Sequence, residues 1–150
     1  MSAVPTDLAT LKRHASDFRA AIERAERARL PISFERFPRG SCGDAALLLG
    51  TYLLEVKTLE FQYMLGERHY DDSGFPHSHA WLQRGSLIID ITADQFPDKR
   101  ARVIVSRKSS WHETFRAHSE HVADFRIFDP ATVATLEIAY VEIQRNIRAT

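Results

Sequence analysis

Between His77 and Ala93 apolar and polar residues alternate on either side of an Arg84-Gly85 pair, and this stretch constrains the fold more than any other. The alternation predicts two strands, Ser78 to Gln83 and Ser86 to Ala93, joined as a hairpin. With Arg84-Gly85 as a two-residue loop, Gln83 faces Ser86 and His79 faces Asp90. Ala80, Leu82, Leu87, Ile89 and Ile91 then share one apolar face. His77, His79, Trp81, Gln83, Ser86, Ile88, Asp90 and Thr92 share the other. A slip of one residue would mix the two sets, so the hydrophobic pattern selects this register. Opposed side chains start from Cβ atoms ~4.5–5.5 Å apart, within reach of an imidazole-to-carboxylate hydrogen bond.

The remaining segments supply helices to cover such a sheet. From Asp7 to about Arg29, Leu8, Leu11, Ala15, Phe18, Ile22 and Ala25 recur at three- and four-residue steps, the period of an amphipathic helix that stops before Pro31. Ile32 to Gly40 reads as a loop. Ser41 follows as an N-cap, with Asp44 in the capping-box position, and Ala45 to Leu54 form an almost wholly apolar helix. Leu59 to Leu65 alternates as a half-buried strand, Glu67 to Pro76 is a polar loop, and Val103 to Val105 is a further short strand. Trp111 to Val122 is expected to be a short helix, and Asp129-Pro130 opens a last helix carrying Val133, Leu136, Ile138, Tyr140, Val141, Ile143 and Ile147. The expected fold class is α+β, helices packed against one antiparallel sheet, as a single domain over residues 1–150.

Charge narrows the function. Twenty Lys and Arg balance twenty Asp and Glu, leaving no overall positive field for nucleic acid or anionic membrane. Neither a secretory signal nor a run of ~20 apolar residues is present, so a soluble, cytoplasmic protein is expected. One Cys allows no internal disulfide and no multi-thiolate zinc site, and no cofactor is expected.

That Cys42 opens the apolar helix, where free backbone N–H groups and the positive end of the helix dipole favour a thiolate and can hold an oxyanion. Asp44 opposes the thiolate, so a basic partner such as His79 is required. Gly40 and Gly43 leave space around the sulfur. Cys42, His79 and Asp90 thus suit a nucleophile, a base and the group that orients the base. Two other readings compete: a structural His79–Asp90 pair, or a zinc site of His77 and His79 with His69 or Asp90. Trp81 stacks on substrate, shields the His79–Asp90 bond, or is an apolar filler over the sheet edge; His77 sits at the rim, and Arg36 and Arg39 either clamp an anion or are solvated loop residues. Asp94 and Gln95 are candidates to line the cleft, whereas His14, His112, His118 and His121 read as surface groups on helices.

The stretches RGSCGDAALLLG, SHAWL and IIDITADQF resemble the core of the transglutaminase-like superfamily, over about Pro38 to Phe96. That papain-related fold puts the Cys at a helix start and the His and Asp on adjacent strands, in motifs of the form HAW-apolar and Asp-x-Thr. The matching residues here are His79-Ala80-Trp81-Leu82 and Asp90-Ile91-Thr92. The resemblance implies a cysteine enzyme that forms an acyl-thioester on a peptide or protein substrate, and hydrolysis (peptidase or amidase) is expected because water needs no acceptor pocket, which 150 residues leave little chain to build. An acyltransferase using the same triad, or a non-catalytic binding module of the same fold, are the alternatives. Catalytic roles pass to Cys42, His79 and Asp90, and substrate contacts to Trp81, Arg39, Gly43 and His77. Papain-type proteases also place a Gln before the Cys, where this chain has Glu35, Arg36 and Arg39, so the second oxyanion donor falls to Arg39, Trp81 or a backbone N–H.

Overall fold

Asp7 caps the first helix, its Oδ1 accepting from the Thr10 N–H at 2.7 Å, and α1 (Leu8–Glu23) buries Leu11, Ala15, Phe18 and Ile22. It ends earlier than its hydrophobic period suggests, because the backbone turns at Arg24-Ala25 and Arg27–Arg29 form a separate 3₁₀ turn. The computed structural model describes residues 7–69, 72 and 74–148. Tyr70, Asp71 and Ser73, within the loop expected from Glu67 to Pro76, lie outside the described residues.

The second helix, α2 (Cys42–Lys57), is buried at every position from Ala45 to Leu53, as its unbroken apolar run requires. Ser41 occupies the N-cap position, yet its Oγ donates to the Pro38 carbonyl at 3.1 Å instead of capping the helix. Asp44 likewise turns outward and accepts from Ser33 Oγ at 2.6 Å, so the expected capping box is absent. Gly50 lets the helix touch neighbouring backbone: a Cβ there would lie 2.4 Å from Ala123 Cβ and 2.6 Å from Ala123 O.

Five strands form one antiparallel sheet: β1 (Gln62–Arg68), β2 (His77–Arg84), β3 (Leu87–Asp90), β4 (Ile104–Ser106) and β5 (Arg116–Val122), in the order β4-β3-β2-β1-β5. The hairpin differs from its expected register. Gln83 pairs with Ile88 and Arg84 with Leu87, so Gly85-Ser86 is the loop and His79 is not directly opposite Asp90. Gly85, at φ +59°, takes the left-handed first position of the turn, which Arg84 would occupy only under strain. The displacement is two residues, so every side chain keeps its expected face and Asp90 stands diagonal to His79.

Two further expectations are corrected. Glu67 and Arg68 belong to β1, paired with Ser78 and His77, rather than to a loop. The segment from Trp111 is not one helix: α3 (Ser110–Glu113) is a single turn, and β5 pairs along β1 at the sheet edge. Backbone pairing to β1 outweighs a helical tendency that Arg116 to Val122 does not support with an apolar stripe.

Helix α4 (Pro130–Arg148) completes the fold and packs on α1. Leu82, Leu87, Ile89 and Ile91 meet the helices in the main core. The other sheet face is not open: Trp81, Ile88, Ala93, Phe96, Trp111 and Phe115 form a second, largely aromatic core upon it. No described helix is long and apolar enough to cross a membrane.

Candidate active site

Within the aromatic layer three polar side chains are buried together. His79 is wholly buried, and its Nε2 lies 2.7 Å from Asp90 Oδ2. His112, on α3, places its own Nε2 2.7 Å from the same oxygen. The second carboxylate oxygen, Oδ1, accepts from the Thr92 N–H at 3.0 Å. The Thr of the Asp-x-Thr motif therefore contributes its backbone to hold the carboxylate.

Hydrogen-bond chemistry fixes the protons. The Ser109 hydroxyl sits 2.5 Å from His112 Nδ1 and also accepts from the His112 N–H at 3.3 Å, which fixes the orientation of the ring. The ionised Asp90 carboxylate can only accept, so Nε2 of His112 and Nε2 of His79 each donate to it. Nδ1 of His79 is the ring nitrogen that Asp90 does not engage, and the Gln95 side-chain amide lies 3.1 Å from it.

Aromatic rings wall in the imidazole of His79. Phe96 and Trp111 approach edge-on at 5.2 and 5.6 Å between centroids, with Trp81 and Phe115 each at 5.8 Å. Such surroundings exclude water and strengthen every charge interaction inside. Burial pushes the Asp90 carboxyl upward, but the charge of His79 and the donors on both histidines hold it far below the usual carboxylate range. Burial likewise lowers His79, yet Asp90 and Cys42 together raise the imidazole to about 9.

Cys42 is the first residue of α2 and is half-buried. Burial raises its thiol, and the influence of His79 outweighs that effect with help from the backbone of Ala80 and from Gln95. The result lies below the ordinary thiol value. Ala45 is the first α2 residue whose N–H finds a backbone acceptor, Ser41 O at 2.8 Å. Among the described residues, nothing accepts from the N–H groups of Cys42, Gly43 and Asp44.

His79, Asp90 and His112 present ligand-type atoms within 4.8 Å of one another, and His112, not His77 or His69, is the second imidazole of the cluster. Each nitrogen–oxygen contact of 2.7 Å is a hydrogen bond, whose proton would have to leave before the same nitrogen lone pair could bind a metal ion. The donor set as it stands is a hydrogen-bonded one.

Arg39 and His77 line a groove of about 680 Å³ with Pro76, Ser78, Asp94 and Gln95. Asp94 is held there by a two-pronged bond to the buried Arg19 guanidinium, at 2.7 and 2.9 Å. Gln95 links this groove to the imidazole. Trp81 is 2% exposed, with its Nε1–H donated to Gln83 Oε1 at 3.1 Å, so it covers the buried pair and presents no face to the groove. Gly43 lies under the Tyr63 hydroxyl, which a Cβ would approach to 2.9 Å.

His112 and Ser109 were not legible as site residues. His112 is 3% exposed, not a surface group, and His118 and His121 lie on β5, not on a helix. The spacing of Ser109 and His112, beside Trp111 and Phe115, was the signal available: a capped turn with an apolar side. Comparison with protein-family models, with curated proteins and with solved structures finds no match to this chain.

Proposed function

We propose that this chain is a cysteine-dependent hydrolase of an amide bond in a peptide or protein, with a papain- and transglutaminase-like core in which α2 carries the nucleophile. The observation that carries the reading is the imidazole of His79, one nitrogen of which is bonded at 2.7 Å to a buried carboxylate; the lowering of the Cys42 thiol by the same ring accords with it. A buried structural thiol would be raised by its surroundings, not lowered.

The resting pair is a thiolate and an imidazolium. The Cys42 sulfur attacks the carbonyl carbon, a C–S bond forms, and the C=O π pair moves to oxygen. On collapse the C=O re-forms and the C–N bond breaks, its electron pair leaving with nitrogen, which takes the proton from His79 Nδ1. Water then gives a proton to Nδ1 and attacks the thioester carbonyl. The C–S pair returns to Cys42, restoring thiolate and imidazolium. Asp90 keeps its negative charge throughout and supports the imidazolium. The groove of Arg39, His77 and Gln95 offers the acyl side a place beside Nδ1.

Iodoacetamide tests the reading without a known substrate. Cys42 of the native protein should alkylate rapidly near neutral pH, and His79→Ala should slow it, because the helix terminus alone must then support the thiolate against Asp44. Equal rates in the two proteins between pH 5 and 9 would remove His79 as the base.

A further inference from the structure

The N–H of Cys42 supplies one donor for a tetrahedral oxyanion, and the source of the second is open. Trp81 is excluded, since it is buried and its indole N–H is already bonded to Gln83 Oε1. Tyr63, on β1, meets the requirement. Its hydroxyl rests against Gly43, the residue next to the nucleophile, so closely that any Cβ there would come within 2.9 Å of it. Among the described residues this hydroxyl has no hydrogen-bond partner, and it is not among the buried polar atoms left unpaired, so the half-buried side chain keeps its O–H within reach of solvent at the start of α2. A phenol in that state has its proton available for a substrate.

The ring behind the hydroxyl is fixed. Tyr63 stacks on His121 with centroids 5.0 Å apart and planes 10° from parallel. His121 is held in turn by Nδ1–H donation to the Val122 carbonyl at 2.8 Å, and Phe128 packs edge-on at 5.3 Å. The β1–β5 register shift between Tyr63 and Met64 falls at this point of the sheet, where an irregular pair re-aims a side chain.

Resting on the hydrolase reading above, we infer that the Tyr63 hydroxyl is a catalytic oxyanion donor, acting with the Cys42 N–H on the carbonyl oxygen as the thiolate adds to carbon. As the C–S bond forms and the π pair moves to oxygen, the O–H donates a hydrogen bond without releasing its proton. Collapse returns the pair to the C=O bond. Burial first, and then the charge of Cys42, push the phenol up to about 12, so it remains a proton donor across the neutral range.

Two reagents separate this role from activation of the thiol. p-Nitrophenyl acetate acylates Cys42 through an oxyanion and expels p-nitrophenolate with the bonding pair, whereas iodoacetamide alkylates by displacement with no oxyanion. Tyr63→Phe keeps the stacked ring and should lower the acylation rate roughly 10²-fold while leaving alkylation within about twofold. Gly43→Ala, which drives a methyl into the hydroxyl's place, should reproduce the split without altering Tyr63 itself. Unchanged acylation in both variants overturns the donor role, and so does an equal fall in both rates, which would make Tyr63 a modulator of the thiol. If wild-type Cys42 reacts with neither reagent faster than free cysteine does, the hydrolase reading fails and the inference falls with it.

Discussion

His112 donates from Nε2 to Asp90 Oδ2 at 2.7 Å, although it comes from a single helical turn outside the sheet that carries Asp90. The carboxylate thereby accepts from His79, His112 and the Thr92 N–H at once. Three donors stabilise its ionised form in a site that water does not reach, which is the condition for it to orient one imidazole and support that ring's charge.

Replacing His112 should therefore weaken the fold more than it weakens the chemistry. His112→Ala removes a donor from a buried carboxylate and opens a gap beside Trp81 and Trp111, whose rings lie 4.8 and 4.9 Å away. The expected loss is about 2–4 kcal/mol in urea unfolding, combining an unsatisfied buried acceptor with a cavity. Alkylation of Cys42 should slow less than in His79→Ala. A loss of stability under about 0.5 kcal/mol would show that the bond adds little.

The two shifted groups of the proposed pair predict an unusual pH dependence of stability. A raised imidazole alone gives stability that is complete below pH 6.5 and lost as pH rises through about 9, since the unfolded state releases its proton first. A lowered thiol alone does the opposite, contributing above pH 9.0 and losing that contribution as pH falls through its folded value. In the native pair the folded state holds one proton on His79 where the unfolded state holds one on Cys42, and the slopes oppose each other. Cys42→Ala removes the thiolate's share of the upward shift of His79 but leaves that of Asp90, so stability should fall as pH rises above 6.5, over a window that closes below 9, by up to about 1.4 kcal/mol per pH unit and more steeply than in the wild type. Denaturant midpoints at four or five pH values decide it. A steeper wild-type slope would contradict a paired thiolate and imidazolium.

How much of this was legible in the sequence follows from which signals carry face and which carry position. The period-2 alternation of residues 77–92 gave the faces of His79 and Asp90, and a two-residue displacement of the hairpin leaves faces untouched. Loop position depends instead on which residue takes positive φ, and Gly85 can serve at either central place of a turn, so Arg84-Gly85 and Gly85-Ser86 look alike until the backbone is seen. The start of α2 at Cys42 was readable from the change to a continuous apolar run. By contrast, β5 exposes most of its side chains and is held through backbone bonds to β1, which leave no mark on residue type. His112 is buried because of a partner 22 residues away in the chain, and no local pattern reports that.

Gly50 provides a test of how closely α2 sits in the fold. In an isolated helix Gly→Ala stabilises by up to about 1 kcal/mol. Here the new methyl would meet Ala123 Cβ and O, at the end of β5, at distances no real Cβ adopts. Gly50→Ala should therefore destabilise by about 1–3 kcal/mol, measured by urea unfolding. Any gain in stability would mean that α2 shifts freely, contrary to the close approach of Gly50 to Ala123.

Asp90→Asn separates orientation of the imidazole from its presence. The substituted amide has one acceptor for three donors: if its oxygen faces His79 and His112, its NH₂ meets the Thr92 N–H, and if it turns round, both Nε2–H groups meet NH₂. Either way the imidazolium loses the negative charge that lifts it to about 9, and His79 should titrate closer to its ordinary value. The thiol then loses part of the positive partner that lowers it, so the pH profile of iodoacetamide alkylation should move to higher pH, while the rate for thiolate once formed stays near the wild-type one. Acylation by p-nitrophenyl acetate followed by hydrolysis needs the imidazole to gain and return a proton in the correct tautomer, and its turnover should fall far more, by up to roughly 10⁴-fold as in a serine triad. His79→Ala should slow both processes, and Asp90→Asn should split them. An Asp90→Asn protein that is folded by circular dichroism and turns over the ester at the wild-type rate would assign the His79–Asp90–His112 cluster to stability alone.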